Sequence, residues 1–366
     1  MKPSIVSRYL TREVGAALFA VTLVLLGVLL STRLIRYLAA AASGEIPVNM
    51  IMTLLGYRVV RHMSLILPAS YFLGIVLALG RLYRDSEMAA LAATGFGPRE
   101  LYRALMGVAL PLTALVAVLS FWAGPWAAHR SDLLEAKAKQ NVDIRALRAG
   151  RFLHSQRANG MFYVEHIDQA HTRLRDVFVE TVQKGKHILI AAKSARLEDD
   201  AESGARYLVF LDGYRYQGVP GQGNWQVVRF KRHGILIREP AVTHYNPSHD
   251  AIPTSVLLKT KKPEQKAELQ WRFAMPIMTL VLMLIAVPLS RSSPRDGRYG
   301  KMLAAVLVYV AYSNGLTVSR QLVSDGQMPA WVGLWWVHVA AILFGLAWLL
   351  KQYGWPHRVG RGESGA

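Results

Sequence analysis

The chain of 366 residues contains no cysteine, so it can hold neither a disulfide framework nor a thiolate metal site. Acidic residues are scarce: 24 Asp and Glu stand against 43 Lys and Arg, a formal net charge of +19. Such an excess points to nucleic acid, anionic lipid or membrane topology. No arginine-rich tail and no nucleic-acid motif is present, and most of the excess flanks hydrophobic stretches, which favours topology and lipid. A phosphate-binding loop is also lacking. Gly297 and Gly300 before Lys301 have neither the spacing nor the following Ser or Thr of a Walker A motif. Any ATP this protein uses is therefore bound by another chain. There is no HExxH, and the eleven histidines, among them His154, His166, His171, His233 and His244, show no metal-ligand spacing. No Ser, His and Asp set stands out as catalytic. Acids are missing from the cores of the apolar stretches, which counts against a proton-driven transporter.

What remains is hydrophobic length. Hydrophobic residues make up 52% of the chain, and windows of about 20 apolar residues mark membrane spans. Six are read, near residues 14–34, 64–82, 101–121, 271–290, 302–320 and 330–350. An even number of spans puts both termini on one side. Lys2, Arg8 and Arg12 precede the first span. Arg81, Arg84, Arg99 and Arg103 lie between the second and third, and Arg291, Arg295, Arg298 and Lys301 between the fourth and fifth. Lys351, Arg358 and Arg361 follow the sixth. The positive-inside rule makes that side cytoplasmic. The opposite loops, 39–57 and 321–329, contain no Lys or Arg. Ala40 to Ala42 resembles a signal-peptide cleavage site, but Arg33 and Arg36 between it and the apolar run argue against cleavage.

Between the third and fourth spans lies a polar insert, extracytoplasmic on this count. The expected division is 1–126 for three spans, 127–269 for the insert, and 270–366 for three more spans and a cytoplasmic tail. The insert opens with a helix-like run, 127–149, rich in Ala, Leu, Lys and Glu. Strand-like runs follow at 160–167, 173–182, 187–197, 206–216 and 226–237, separated by Gly, Asp and Pro. Leu174, Asp176, Phe178 and Glu180 are expected on one face, with Arg175, Val177, Val179 and Thr181 on the other. Short strands at this spacing suggest a β-sandwich, a jelly roll or an open relative. Residues 207–211 are apolar on both faces, as in a central core strand or a greasy interior that holds acyl chains.

Against this topology, five arginines fall on the outer side. Arg33 and Arg36 end the first span, Arg58 and Arg61 precede the second, and Arg320 closes the fifth. Guanidinium groups at headgroup depth suit phosphate, because the fork is planar, permanently charged and bidentate. Snorkelling to ordinary lipid headgroups is the competing explanation. Trp335 and Trp336 read as lipid-facing or interfacial anchors.

The most specific segment lies between the second and third spans, residues 80–96. Asp85 or Ser86 can cap a short helix, Gly95 can end it in the left-handed conformation, and Pro98 prevents continuation. A short cytoplasmic helix near 85–95 therefore presents Glu87. Helices of this kind dock permeases onto separate ATPase subunits; an ordinary capped interfacial helix has the same pattern.

At these residues the chain resembles the lipopolysaccharide export permeases, the paralogous LptF and LptG. Ser86-Glu87 followed by Ala93-Thr94-Gly95 is similar to that family's coupling helix, and Leu67-Pro68 before Phe72-Leu73-Gly74 to its second span. Trp122-Ala123-Gly124-Pro125-Trp126 and Gly44-Glu45-Ile46-Pro47 resemble the LptF branch. The resemblance implies a helical membrane bundle in a 3 + 3 arrangement with an inserted periplasmic β-jelly roll. It implies an LptG partner, two copies of the ATPase LptB, which would bind the ATP and Mg, a single-span partner LptC, and lipopolysaccharide as cargo. No cofactor is expected in this chain. Arg33, Arg36 and Arg320 match the family's phosphate-binding positions; Arg58 and Arg61 match none. Glu87 matches the acidic residue that contacts the ATPase, with Asp85, Ser86 and Gly95 building its helix. Rival readings are a permease for another envelope lipid or lipoprotein, a membrane scaffold, and an enzyme acting on lipid.

Overall fold

A computed structural model describes residues 5–42, 46–140, 149–155, 160–168, 173–183, 185–199, 206–238, 247–291 and 300–353. Among them, six helical stretches are long and apolar enough to cross a membrane. Helix α1 is Ile5–Ala42 and α2 is Ile51–Arg84, entered through a 3-10 turn at Val48–Met50. The short α3 is Glu87–Ala93. Helix α4, Pro98–Val118, runs through a π turn at Leu119–Ala123 into α5, Gly124–Gln140. After the strands come a 3-10 turn at His249–Ala251, the single turn α6, Thr254–Leu257, and then α7, Pro263–Ser290. Helices α8, Gly300–Ser324, and α9, Trp335–Tyr353, complete the set.

Sequence windows understate most of these helices, although the sixth begins at Trp335, five residues later than expected. Helix α1 has 38 residues, about 57 Å at 1.5 Å per residue, against a hydrocarbon core of about 30 Å. Helix α2 begins thirteen residues before the expected span, so Arg58 and Arg61 lie inside it rather than in a preceding loop. Pro98 and Pro263 stand in the first turns of α4 and α7, where a missing N–H costs nothing. The Glu100 carboxylate accepts from the Gly97 amide at 3.0 Å and fastens the start of α4.

Two compact units emerge. The helical unit is drawn from Met1–Arg36, Met52–Asp132 and Pro247–Ala366. Its centre is α7, 72% of whose apolar window is buried, against 11% for α1. Met275, Met278, Leu282, Ile285 and Ala286 on α7 pack with Tyr71, Phe72, Ile75 and Leu79 on α2 and with Leu101, Leu105 and Ala109 on α4. A Cβ at Gly74 would lie 2.9 Å from the Leu18 backbone nitrogen, so glycine permits α1 and α2 to touch. Phe19, Leu23, Val24 and Val28 of α1 remain exposed, as expected of side chains that face lipid or another membrane chain.

The second unit comprises Tyr37–Ile51 and Leu133–Asn246. It contains β1, Arg151–Ser155, β2, Gly160–Ile167, β3, Arg173–Gln183, β4, Lys186–Asp199, β5, Arg206–Gly218, and β6, Gln226–Arg238. All neighbours are antiparallel and the order is β1-β2-β3-β4-β5-β6. This is a meander, so the Greek-key crossovers of a double-sheet jelly roll are not seen among the described residues. Residues 127–132 and 247–269 sit with the helical unit, not with the sheet as the sequence division had it.

The face assignment also changes in β3. Leu174, Val177, Val179 and Thr181 are all buried, so Leu174 joins the face opposite to the one expected. The cause is Asp176, whose φ of +51° breaks the alternation. Asp212 in β5 has a φ of +50°. Pairing is interrupted beside both, with Ala192 and Ser194 bonded across to residues on either side of each aspartate. Aspartate tolerates this region better than branched residues do. In β5, Leu208, Val209 and Phe210 are all buried, so this strand is covered on both faces.

Candidate functional site

At its C-terminal end, α2 closes on Arg81 and Arg84, and the chain turns into α3. The Phe96 amide donates to the Leu91 carbonyl at 3.1 Å and the Gly95 amide to Ala92 at 3.0 Å. With Gly95 at φ +84°, this is the left-handed helix stop expected from sequence. The start differs. Ser86 occupies the N-cap position, but its side chain makes no cap bond and its own φ is +59°. The Asp85 carboxylate pairs instead with Arg84 at 3.2 Å. Met88 is buried and Leu91 packs beside it, so α3 lies with its apolar side on the helical core. Ala89, Ala90, Ala92 and Ala93 are exposed. Glu87 is half-buried, because Tyr9 Oη of α1 donates to its Oε2 at 2.7 Å. Arg81 binds Glu13 of α1 at 3.0 Å one turn away. Thus α3 is tied to α1 as well as to α2.

The five arginines expected on the outer side lie in different environments. Arg33 Nη2 lies 3.5 Å from His62 Nε2, while His62 Nδ1 lies 2.9 Å from the Arg58 carbonyl. A ring donating through Nδ1 leaves Nε2 to accept from Arg33. Arg36 is exposed and has no ion-pair partner among the described residues. Arg61 is engaged: Nε donates to Asp250 Oδ2 at 2.6 Å and Nη1 to Asp132 Oδ1 at 3.3 Å. Asp132 also accepts from the Ser248 amide at 3.2 Å and from its hydroxyl. Burial pushes the Asp250 carboxyl up, but the Arg61 charge and bonds from Ser248 and Arg61 outweigh it and hold the group below its usual range. Arg61 therefore fastens α2 to α5 and to the turn before α6.

Arg320 has a carboxylate partner too. Its Nη2 donates to Glu268 Oε2 at 2.7 Å, and its guanidinium lies 5.0 Å from the Trp271 ring centroid. Glu268 is 2% exposed and binds Arg272 Nε at 2.9 Å through its other oxygen. Arg272 also donates to Thr254 Oγ1 at 2.7 Å and to the Asp250 and Ile252 carbonyls at 3.1 and 2.8 Å. Thr254 donates on to the Phe121 carbonyl of the π turn, and Ser120 of the same turn donates to the Arg272 carbonyl of α7. One polar network thus runs from Arg61 through Asp250 and Arg272 to Glu268 and Arg320. The sequence windows missed Glu268, Arg272, Asp250, Asp132 and His62. The i, i+4 spacing of Glu268 and Arg272 behind Pro263 was the available signal, hidden because the apolar window began at Trp271.

In the sheet unit, a groove of about 560 Å³ is lined by Phe152, Tyr163, Phe178 and Tyr214, with Asp176, Lys193 and Asp212 at its polar part. Register places Phe152, Tyr163, Phe178, Ala191 and Tyr214 in one cross-strand row. Glu165, His166 and Asp176 cluster on the surface, where exposed acids commonly stand without an ion.

Residues 8–351 match the family described as lipopolysaccharide export system permease LptF/LptG. The chain is 30% identical over 338 residues to lipopolysaccharide export system permease protein LptF of Escherichia coli (strain K12), covering 92% of each. It is 22% identical over 200 residues to permease protein LptG of Haemophilus influenzae, covering 55% of each, and 24% identical over 107 residues to LptG of Escherichia coli (strain K12), covering 29% of each.

Proposed function

The chain belongs to the LptF/LptG family of lipopolysaccharide export permeases, and we propose that it takes lipopolysaccharide from the outer leaflet as one half of a permease pair. It is a multi-pass inner-membrane permease subunit, not an enzyme, with its greater likeness to LptF and a paralogous LptG as partner. Two copies of a separate ATPase, LptB, bind ATP and Mg and act through α3; LptC is the single-span partner. Both termini are cytoplasmic, and the sheet unit is periplasmic, passing lipid toward the outer membrane.

The observation that carries this reading is the set Arg33, Arg36 and Arg320 at one end of the spans, beside loops without Lys or Arg. Cations at headgroup depth suit the phosphates of lipid A. The acyl chains need the opposite. One buried CH₂ is worth about 0.8 kcal/mol, so a 14-carbon chain leaving the bilayer through water would cost on the order of 11 kcal/mol. A lipid with several chains requires a continuous apolar surface, such as the aromatic row of the sheet. Arg58 and Arg61 serve the site differently, through His62 and through Asp132 and Asp250.

The test is photocrosslinking of lipopolysaccharide to the assembled complex. Arg33→Glu and Arg320→Glu are each expected to reduce crosslinking about tenfold or more, with assembly intact. Unchanged crosslinking in both would remove the phosphate site.

A further inference from the structure

Glu268 is a carboxylate closed off from solvent, and each of its oxygens takes one arginine. The two arginines differ. Arg272 is 2% exposed, and its Nε, Nη1 and Nη2 are all engaged by Glu268, Thr254 and two backbone carbonyls. It cannot reach an outside ligand; its charge is a fixed part of the wall. Arg320 is 34% exposed in its side chain and is held from two sides, by Glu268 at 2.7 Å and by the Trp271 ring at 5.0 Å. A guanidinium has five donors, and the remaining donors of Arg320 make no hydrogen bond among the described residues.

We propose that Glu268 is a positioning residue that aims the Arg320 fork and offsets part of its charge, so that an anionic headgroup is held there weakly enough to be released. The proposal rests on the headgroup reading above. Physically, one negative and two positive charges leave the group with one net positive charge. Removing the carboxylate charge leaves two, in surroundings where screening is poor. A transported ion or headgroup must bind well enough to enter and weakly enough to leave. Arg320 alone over Trp271 would hold a phosphate bidentately; sharing the fork with Glu268 makes the phosphate a replaceable partner.

The experiment measures how long the reconstituted permease–ATPase complex retains lipopolysaccharide, and how fast it exports it, using lipid with and without its lipid A phosphates. Glu268→Gln keeps the size of the side chain and removes the charge, leaving one acceptor oxygen where two arginines had one each. Retention of phosphorylated lipid is expected to lengthen about tenfold while export slows; lipid without phosphates should show no change. Arg320→Gln should shorten retention. In the Arg320→Gln background, Glu268→Gln should have no further effect, because Glu268 acts through Arg320. A lone buried Arg272 could prevent folding of Glu268→Gln. In that case Glu268→Gln with Arg272→Gln, which removes the buried pair together, keeps the net charge at one but still frees the Arg320 fork from the carboxylate, so a smaller lengthening of retention is expected. Unchanged retention in an assembled Glu268 variant, or an effect that persists without Arg320, would overturn the proposal while leaving the headgroup site standing. Unchanged retention in Arg320→Gln alone would overturn the headgroup reading at this residue and this proposal with it.

Discussion

Arg61 and Arg320 have the same chemistry, yet their neighbours give them different work. Arg61 meets two carboxylates and is 16% exposed in its side chain, so it acts as a clamp among α2, α5 and the turn at Asp250. Arg61→Ala leaves Asp132 and Asp250 without their counter-charge, and a loss of about 2 kcal/mol of complex stability is expected by thermal melting. The Asp250 carboxyl is held below its usual 3.8. Its contribution is thus fully present above pH 3.8 and is lost as the pH falls through the lower folded value. Asp250→Asn should lose stability at neutral pH and flatten the acid limb of a melting-against-pH profile; an unchanged limb would assign it to other groups. The five arginines were legible in sequence by their clash with topology. Their partners were not, because Asp132 and Asp250 stand 71 and 189 positions away from Arg61.

At the scale of elements, α3 was legible at its end and not at its start. Glycine followed by Pro98 is a strong stop, and the Gly95 bonds bear that out. A cap at Ser86 was a fair reading of composition, but the tight turn from α2 requires Ser86 itself at positive φ, which removes its side chain from the cap position. Glu87→Arg should break the bond from Tyr9 and weaken ATPase association while the membrane helices still fold; normal ATPase co-purification would count against the coupling role. In the sheet, the strands followed from alternation, but the face of Leu174 did not, since no period-2 pattern signals a left-handed aspartate. Asp212→Val should cost about 1–2 kcal/mol from that backbone strain. Asp212→Gly should be tolerated, as judged by proteolysis of the sheet unit. Gly213 beside it cannot change: a Cβ there would fall 2.7 Å from the Phe230 ring and 2.9 Å from the Ala192 Cα.

For the whole molecule, hydropathy and charge bias gave six spans and an insert, because bilayer thickness and lysine and arginine placement act on long stretches of chain. Meander order depends on which strand edges pair, and that is set by contacts across the sheet rather than by local pattern. Unit boundaries were displaced for a related reason. Ion pairs bind 127–132 and 247–269 to the helices, although those segments are too polar to read as membrane. Such polar stretches at the ends of α4–α5 and α7 hold the charged network that a hydropathy window passes over. Intact-complex mass spectrometry of the tagged chain, extracted from native membranes in mild detergent, bears most directly on its work as a permease subunit. The expected result is a complex with a paralogous six-span chain, two ATPase copies and bound lipopolysaccharide. A lone chain or homodimer, free of ATPase under several detergents, would contradict it.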